Sequence, residues 1–134
     1  MDINKLFNID GKTALITGGS RGIGEMIAAG FLANGVKVYI TARKEAPLIE
    51  KAKELSEKFN GECIAIPCDL SNMEGIQKLA SDYLDHEDSL DILVNNAGAA
   101  WGEPYENFSE KGWDKVMDTN VKSCLLYTSP SPRD

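Results

Sequence analysis

The run Thr17-Gly18-Gly19-Ser20-Arg21-Gly22-Ile23-Gly24 constrains this chain more than any other stretch. It follows a short apolar run at residues 12–17 that reads as a buried strand. It opens a helical pattern with Ile23, Ile27, Ala28, Phe31 and Leu32 on one face. A turn of this kind suits an anion, because free N–H groups at a helix N-terminus, with the helix dipole behind them, favour a pyrophosphate. Glycines let the backbone turn sharply and approach the ligand with no Cβ between. The spacing is Gly-x-x-x-Gly-x-Gly, from Gly18, Gly22 and Gly24. The Gly-x-Gly-x-x-Gly fingerprint would need glycine where Ser20 and Ile23 stand, and no Gly-Lys-Ser/Thr follows to make a P-loop. A turn that merely joins strand to helix is the competing reading; the strand before it and the helix after it weigh against that.

The pattern then repeats. Asn34-Gly35 closes the first helix, with Gly35 suited to a left-handed cap. Residues 36–41 read as a second strand, rich in β-branched and aromatic side chains. The next helix carries Pro47 near its first turn and buries Leu48, Ile49, Ala52, Leu55 and Phe59, ending at Asn60-Gly61. Residues 62–67 form a third strand. Ser71-Asn72-Met73-Glu74 reads as a capping box in which Ser71 accepts from the Glu74 N–H, opening a helix that buries Met73, Ile76, Leu79, Ala80 and Leu84. Residues 90–94 are a fourth strand, and Ser109 caps a helix bearing Trp113, Val116 and Met117. The order β-α-β-α-β-α-β-α predicts an α/β, Rossmann-like doubly wound parallel sheet of four strands, with a ligand at the carboxyl ends of the strands.

With these residues in place, the chain resembles the short-chain dehydrogenase/reductase family. The Thr17-Gly18-x-x-x-Gly22-x-Gly24 loop matches that family's glycine motif. Asp69 and Leu70, in Cys68-Asp69-Leu70, fall where the family places an aspartate beside an adenine ring. Asn95-Asn96-Ala97-Gly98 follows the fourth strand as the family's Asn-Asn-Ala-Gly does, and Asn120 matches its active-site asparagine. The resemblance spans residues 10–123 and implies a nicotinamide-dependent oxidoreductase. It implies cofactor contacts at Gly18, Ser20, Arg21, Gly22, Ile23, Gly24, Asp69, Leu70, Asn96, Ala97 and Gly98. It implies for Asn120 a place in a proton relay through a water on its backbone carbonyl. The loop Ala99-Ala100-Trp101-Gly102 and the later Gly112-Trp113 look most like the 3-oxoacyl (β-ketoacyl) reductase branch. A small-molecule carbonyl or acyl-thioester substrate follows from that, as does a homotetrameric full-length parent. The aromatics of Trp101-Gly102-Glu103-Pro104-Tyr105 are candidates for the substrate pocket, with packing of a surface loop as the alternative.

The residues after the second strand choose between nicotinamide cofactors. An acid there binds the ribose 2′-hydroxyl of NAD, and an arginine accommodates the 2′-phosphate of NADP. Tyr39-Ile40-Thr41-Ala42-Arg43-Lys44 has no acid until Glu45. Arg43 suits bidentate phosphate contact, and Arg21 can close on the same group, so NADP(H) is expected. A solvated helix start at Arg43 and Lys44 is the alternative.

The family's catalytic Tyr-x-x-x-Lys is missing. Tyr39, Tyr83, Tyr105 and Tyr127 are followed four residues later by Arg43, Glu87, Ser109 and Ser131. The helix through Asn120 should continue, yet residues 124–134 carry two prolines. A codon string that looks like the transposon end and adapter of a sequencing library encodes those eleven residues one for one. Residues 1–123 are therefore expected to be the N-terminal part of one nucleotide-binding domain, and 124–134 a non-native tail. The chain is expected to be inactive as it stands and to aggregate, because one edge and one face of an unfinished sheet lie open. A non-catalytic NADP(H)-binding protein is the reading from another class. An enoyl reductase of the same superfamily would depart from the Gly22-Ile23-Gly24 and Asn95-Asn96-Ala97-Gly98 patterns.

A net charge of -7 over 134 residues argues against nucleic acid and anionic membranes as partners. No apolar run is long enough to span a bilayer and the N-terminus lacks a signal layout, so the cytoplasm is expected. Cys63, Cys68 and Cys124 make no metal-ligand spacing and read as buried, reduced thiols; His86 reads as a solvated loop residue.

Overall fold

In a computed structural model the described residues are 2–98 and 103–122. Trp101 and Gly102 of the aromatic loop, Cys124 and the suspected tail lie outside them.

Among the described residues four parallel strands form one sheet: β1 (Thr13–Thr17), β2 (Lys37–Thr41), β3 (Cys63–Ala65) and β4 (Ile92–Val94), in spatial order β3-β2-β1-β4. The chain adds β2 and β3 to one side of β1, then crosses back to lay β4 on the other. Ile16 pairs with Ile40 on one side and with Val94 on the other. The reversal of strand order falls between β1 and β4, which is where open α/β sheets form their ligand crevice.

Alternation along each strand builds two cores. Ala14, Ile16, Val38, Ile40 and Cys63 face Ala28 and Leu32 of α2 (Gly22–Ala33) and Leu48, Ala52 and Leu55 of α3 (Glu45–Phe59). Leu15 and Tyr39 point the other way, onto Ile76, Leu79 and Tyr83 of α4 (Met73–Leu84). A fully buried leucine such as Leu48 or Leu79 contributes about 1.5–3 kcal/mol relative to exposure. Helices pack on both faces of the sheet, as the apolar strands predicted, rather than leaving one face open as the truncation suggested. β4 is only half-buried, and its outer edge is unpaired among the described residues.

The helical faces are narrower than their apolar content suggested. Ile23, Ile49, Met73, Ala80 and Leu84 are exposed, and α4 buries Tyr83, spaced i, i+3, i+7 with Ile76 and Leu79. The Tyr83 hydroxyl is satisfied by donating to the Ser89 carbonyl, so the ring can be buried. The capping box at α4 is also corrected. Asn72 is the N-cap and accepts from the Gly75 N–H at 2.7 Å, while the Ser71 hydroxyl donates to Asp69 Oδ1 at 2.7 Å. Ser71 is drawn away because the Asp69 carboxylate accepts both its hydroxyl and its N–H. The predicted third strand of 62–67 pairs as a strand only at Cys63–Ala65, yet Ile66 N–H still reaches Ile40 O at 2.9 Å and Cys68 N–H reaches Ala42 O at 3.1 Å.

Other details follow the sequence. Gly35 has φ +78 just past α2, and Asn60 takes the left-handed position (φ 49) that ends α3. Ser109 caps α5 (Glu110–Met117), accepting from Gly112 N–H at 3.1 Å. A short α1 (Ile3–Leu6), capped by Asp2, was not expected; four residues carry no detectable periodicity. Cys63 and Cys68 are buried free thiols, and burial pushes Cys63 up to about 12, so it stays protonated. Among the described residues no helix is long and apolar enough to cross a membrane.

Candidate functional site

The carboxyl ends of the strands are tied into one platform. Gly18 and Gly19 donate their N–H groups to Thr41 O at 2.9 and 3.2 Å, joining the glycine turn to β2. The Thr41 hydroxyl lies 3.0 Å from Cys68 Sγ, joining β2 to the segment after β3. Thr17 Oγ1 accepts from Asn96 N–H at 3.0 Å and from Ala97 N–H at 2.9 Å, joining β1 to the segment after β4. Asn96 Nδ2 donates back to Gly18 O at 3.2 Å.

The glycine turn takes its shape from two demands. Gly18 (φ +72) and Gly22 (φ +60) hold left-handed backbone, which a Cβ opposes. Gly24 is needed for space: a Cβ there would sit 2.3 Å from Gly18 O and 2.6 Å from Asn96 Nδ2. Gly19, not singled out from the sequence, is just as tight, since its Cβ would fall 2.5 Å from Ile40 Cγ2. At Gly22 no atom comes within 4 Å of where a Cβ would be, so this side of the turn is open to a ligand.

The helix N-termini here are unusual in the same sense. Arg21 is the N-cap of α2 and Lys44 that of α3, and neither makes a side-chain cap bond. At α1, α4 and α5 the N-cap side chains of Asp2, Asn72 and Ser109 accept from the helix. A cation at a helix N-terminus opposes the dipole, so α2 and α3 present uncapped N–H groups and added positive charge together. Arg43 is exposed beside them. It also acts on Asp69, whose carboxyl is held below its ordinary value by the Ser71 hydroxyl and N–H first and by Arg43 after them. The arrangement can bind an extended polyanion across the starts of two helices.

Of the predicted site residues, Gly18, Gly22 and Gly24 shape the turn, with Ser20 half-buried in it and Ile23 exposed at the first turn of α2. Asn96 and Ala97 are fixed by Thr17, and a Cβ on Gly98 would lie 3.3 Å from Asn120 Oδ1, so the fourth-strand motif and Asn120 meet. Asn120 sits in a π-helical turn, Asp118–Lys122, that continues α5. Asp69 stands at the same rim, on the segment that Cys68 N–H ties to Ala42. The Leu70 side chain is buried in the α4-side core, leaving its backbone alone for a ligand. Tyr39 is fully buried, and its hydroxyl donates to Glu87 at 2.6 Å where the strands begin, away from this platform. Sequence reading missed Thr17 as a hub and Gly19 as a close-packed position. The doubled glycine was a signal for Gly19; no local signal marks Thr17, whose partners lie 77–80 residues away.

Comparison with known proteins fits this geometry. The chain is 48% identical over 127 residues to a rhamnolipids biosynthesis 3-oxoacyl-[acyl-carrier-protein] reductase of Pseudomonas aeruginosa, covering 92% of this chain and 49% of that protein. Among solved structures it is similar to a Pseudomonas aeruginosa RhlG/NADP active-site complex, with TM-score 0.82 and 44% identity over 96% of this chain and 53% of that one. It is also similar to the L-sorbose reductase of Gluconobacter frateurii complexed with NADPH and L-sorbose, with TM-score 0.84 and 33% identity over 88% and 45% of the two chains. The chain thus spans about half the length of the curated relatives it matches. The model of the short chain dehydrogenase family matches residues 12–130. With its glycine turn, Asn95-Asn96-Ala97-Gly98 segment and parallel sheet all inside the matched residues, the chain belongs to the short-chain dehydrogenase family.

Proposed function

We propose that this chain is the cofactor-holding half of an NADP(H)-dependent oxidoreductase acting between a ketone and an alcohol, with a 3-oxoacyl thioester as the favoured substrate class. The observation that carries the reading is the open, uncapped start of α2 at Gly22, with Arg21 as its N-cap and Lys44, next to Arg43, as the equally uncapped N-cap of α3. A dinucleotide with a third phosphate needs that distribution of positive charge. Solved relatives described with NADP and NADPH support the choice.

The residues present fit the cofactor. The α2 N-terminus with Gly18, Ser20, Gly22, Ile23 and Gly24 would hold the pyrophosphate, and Arg43 with Arg21 the 2′-phosphate. Asp69 and the Leu70 backbone would lie beside the adenine, and Asn96, Ala97 and Gly98 along the nicotinamide-side ribose. NADPH, when bound, supplies the hydride. The chain's own residues bind and orient it, and Asn120 belongs to the relay that delivers a proton to the substrate oxygen. The acid itself, a tyrosine in Tyr-x-x-x-Lys, belongs to the half outside this chain; a lysine beside it tunes its pKa for work near neutrality. On this reading residues 1–123 are part of one nucleotide-binding domain, 124–134 are non-native, the full-length protein is a cytoplasmic homotetramer, and the 134-residue chain alone does not turn over.

The test is to read the source DNA past codon 123 and to assay the full-length product. A continuing helix, a serine and Tyr-x-x-x-Lys, with NADPH-dependent reduction of a 3-oxoacyl thioester, bear the proposal out. A confirmed tail and stop codon leave NADP(H) binding without catalysis as the alternative.

A further inference from the structure

One carboxylate holds the start of the helix that leads to Asn120. Glu103 Oε2 accepts from the Ser109 N–H at 2.6 Å, and Glu103 Oε1 accepts from the Ser109 hydroxyl at 2.9 Å. The same hydroxyl then accepts from Gly112 N–H at 3.1 Å, so its proton direction is set by Glu103 and its lone pair is free to cap α5. Both contacts to the carboxylate are charge-assisted, and a negative charge at this position complements the α5 dipole.

Of the eight residues of helix α5, Gly112 alone is buried, and Trp113 is 58% exposed. Eight residues make a rod about 12 Å long, fastened at one end through Ser109 and running at the other into the π-helical turn Asp118–Lys122. That turn brings Asn120 Oδ1 against Gly98, so a change of tilt at Ser109 is delivered to Asn120.

We infer that Glu103 is a positioning residue for Asn120: by fixing the start of α5 it sets where the far end of that helix places the asparagine against Gly98. The inference rests on the proposed function, in which Asn120 serves the proton relay. On this inference Glu103 acts on Asn120 and not on cofactor affinity.

The experiment is a double-mutant cycle in the full-length protein, with NADPH affinity measured by fluorescence alongside steady-state kinetics. Glu103→Ala, which removes both contacts to Ser109, lowers kcat about tenfold and leaves the NADPH Kd within about twofold. Glu103→Gln, which still accepts the Ser109 N–H, recovers most of kcat. In an Asn120→Ala background Glu103→Ala has no further effect, because residues acting through one group are not additive. A full loss of kcat added on top of Asn120→Ala, an unchanged kcat in Glu103→Ala, or NADPH binding lost together with kcat overturns the inference while the proposed function stands. A wild-type full-length protein that does not oxidise NADPH with any carbonyl substrate overturns both, and is seen before any variant is made.

Discussion

Thr17 Oγ1 accepts a hydrogen bond from the Ala97 N–H at 2.9 Å, across 80 residues of chain. The same oxygen accepts from Asn96 N–H and lies 3.3 Å from Val94 O, to which it donates. One hydroxyl, 2% exposed, therefore satisfies two backbone donors where β1 and β4 diverge to form the crevice.

Replacing that hydroxyl by a methyl takes the acceptor from the Ala97 N–H, while the Asn96 N–H keeps its bond to Val94 O at 3.1 Å. Thr17→Val is expected to lower the stability of the full-length protein by about 1–3 kcal/mol, the cost of one group left unsatisfied. Thr17→Ser, which keeps the oxygen, recovers most of it. Urea denaturation of the three proteins decides the matter; equal midpoints for valine and serine would mean that Thr17 acts by shape alone.

Two glycines of α2 predict opposite outcomes. Gly30 has open space where a Cβ would stand, in helical backbone, so Gly30→Ala stabilises by about 0.5–1 kcal/mol. Gly24→Ala meets backbone at 2.3 Å, so the turn must open and NADPH affinity falls by at least about tenfold, the equivalent of 1.4 kcal/mol. Thermal melts and NADPH titrations on the pair check both signs; a Gly24→Ala protein with native affinity would remove the close-packed turn from the site.

How much of this was legible in the sequence divides by range. The glycine turn, the order of elements, the helix ends at Gly35 and Asn60 and the Ser109 cap are local, and local chemistry dictates them. The α4 cap was misassigned because Asp69, outside the Ser-x-x-Glu pattern, competes for Ser71. Tyr83 was overlooked as core because its hydroxyl finds a partner only once the loop to Ser89 has folded back. Arg21 and Lys44 as N-caps could not be read as charge placed against two dipoles until the helix starts were known.

On the proposed function, Arg43 carries the cofactor preference. Arg43→Asp is expected to weaken NADPH binding by on the order of 10–100-fold, from loss of charge-assisted contacts worth about 1.5–3 kcal/mol, and to leave NADH binding nearly unchanged. Dissociation constants for both cofactors test this. Equal losses would mean that Arg43 does not read the 2′-phosphate.

A second charged cluster gives a pH signature. Glu87 accepts from Tyr39 and pairs with Lys37 at 2.7 Å; Lys37 first and Tyr39 second hold its carboxyl below the usual 4.5. Burial, then Glu87, pushes the Tyr39 phenol up to about 12. A depressed folded pKa contributes stability that is present above 4.5 and lost as pH falls through the folded value. Melting temperatures from pH 6 downward should therefore fall more steeply for wild type than for Glu87→Gln, which has no proton to take up. Parallel curves would show that this cluster adds nothing to acid sensitivity.

β4 is the rim of the sheet among the described residues, pairing with β1 alone, and yet its exit segment forms one wall of the crevice. Occupancy of the crevice and completion of the sheet are then two ligations of the same strand. On the proposed function, a dinucleotide held between Gly22 and Asn96 would fix the exit of β4, and a further strand on the outer edge of β4 would fix the same strand. Thermodynamic reciprocity makes each strengthen the other by an equal factor. Nucleotide affinity in this fold is thus partly a measure of how firmly its outermost strand is held.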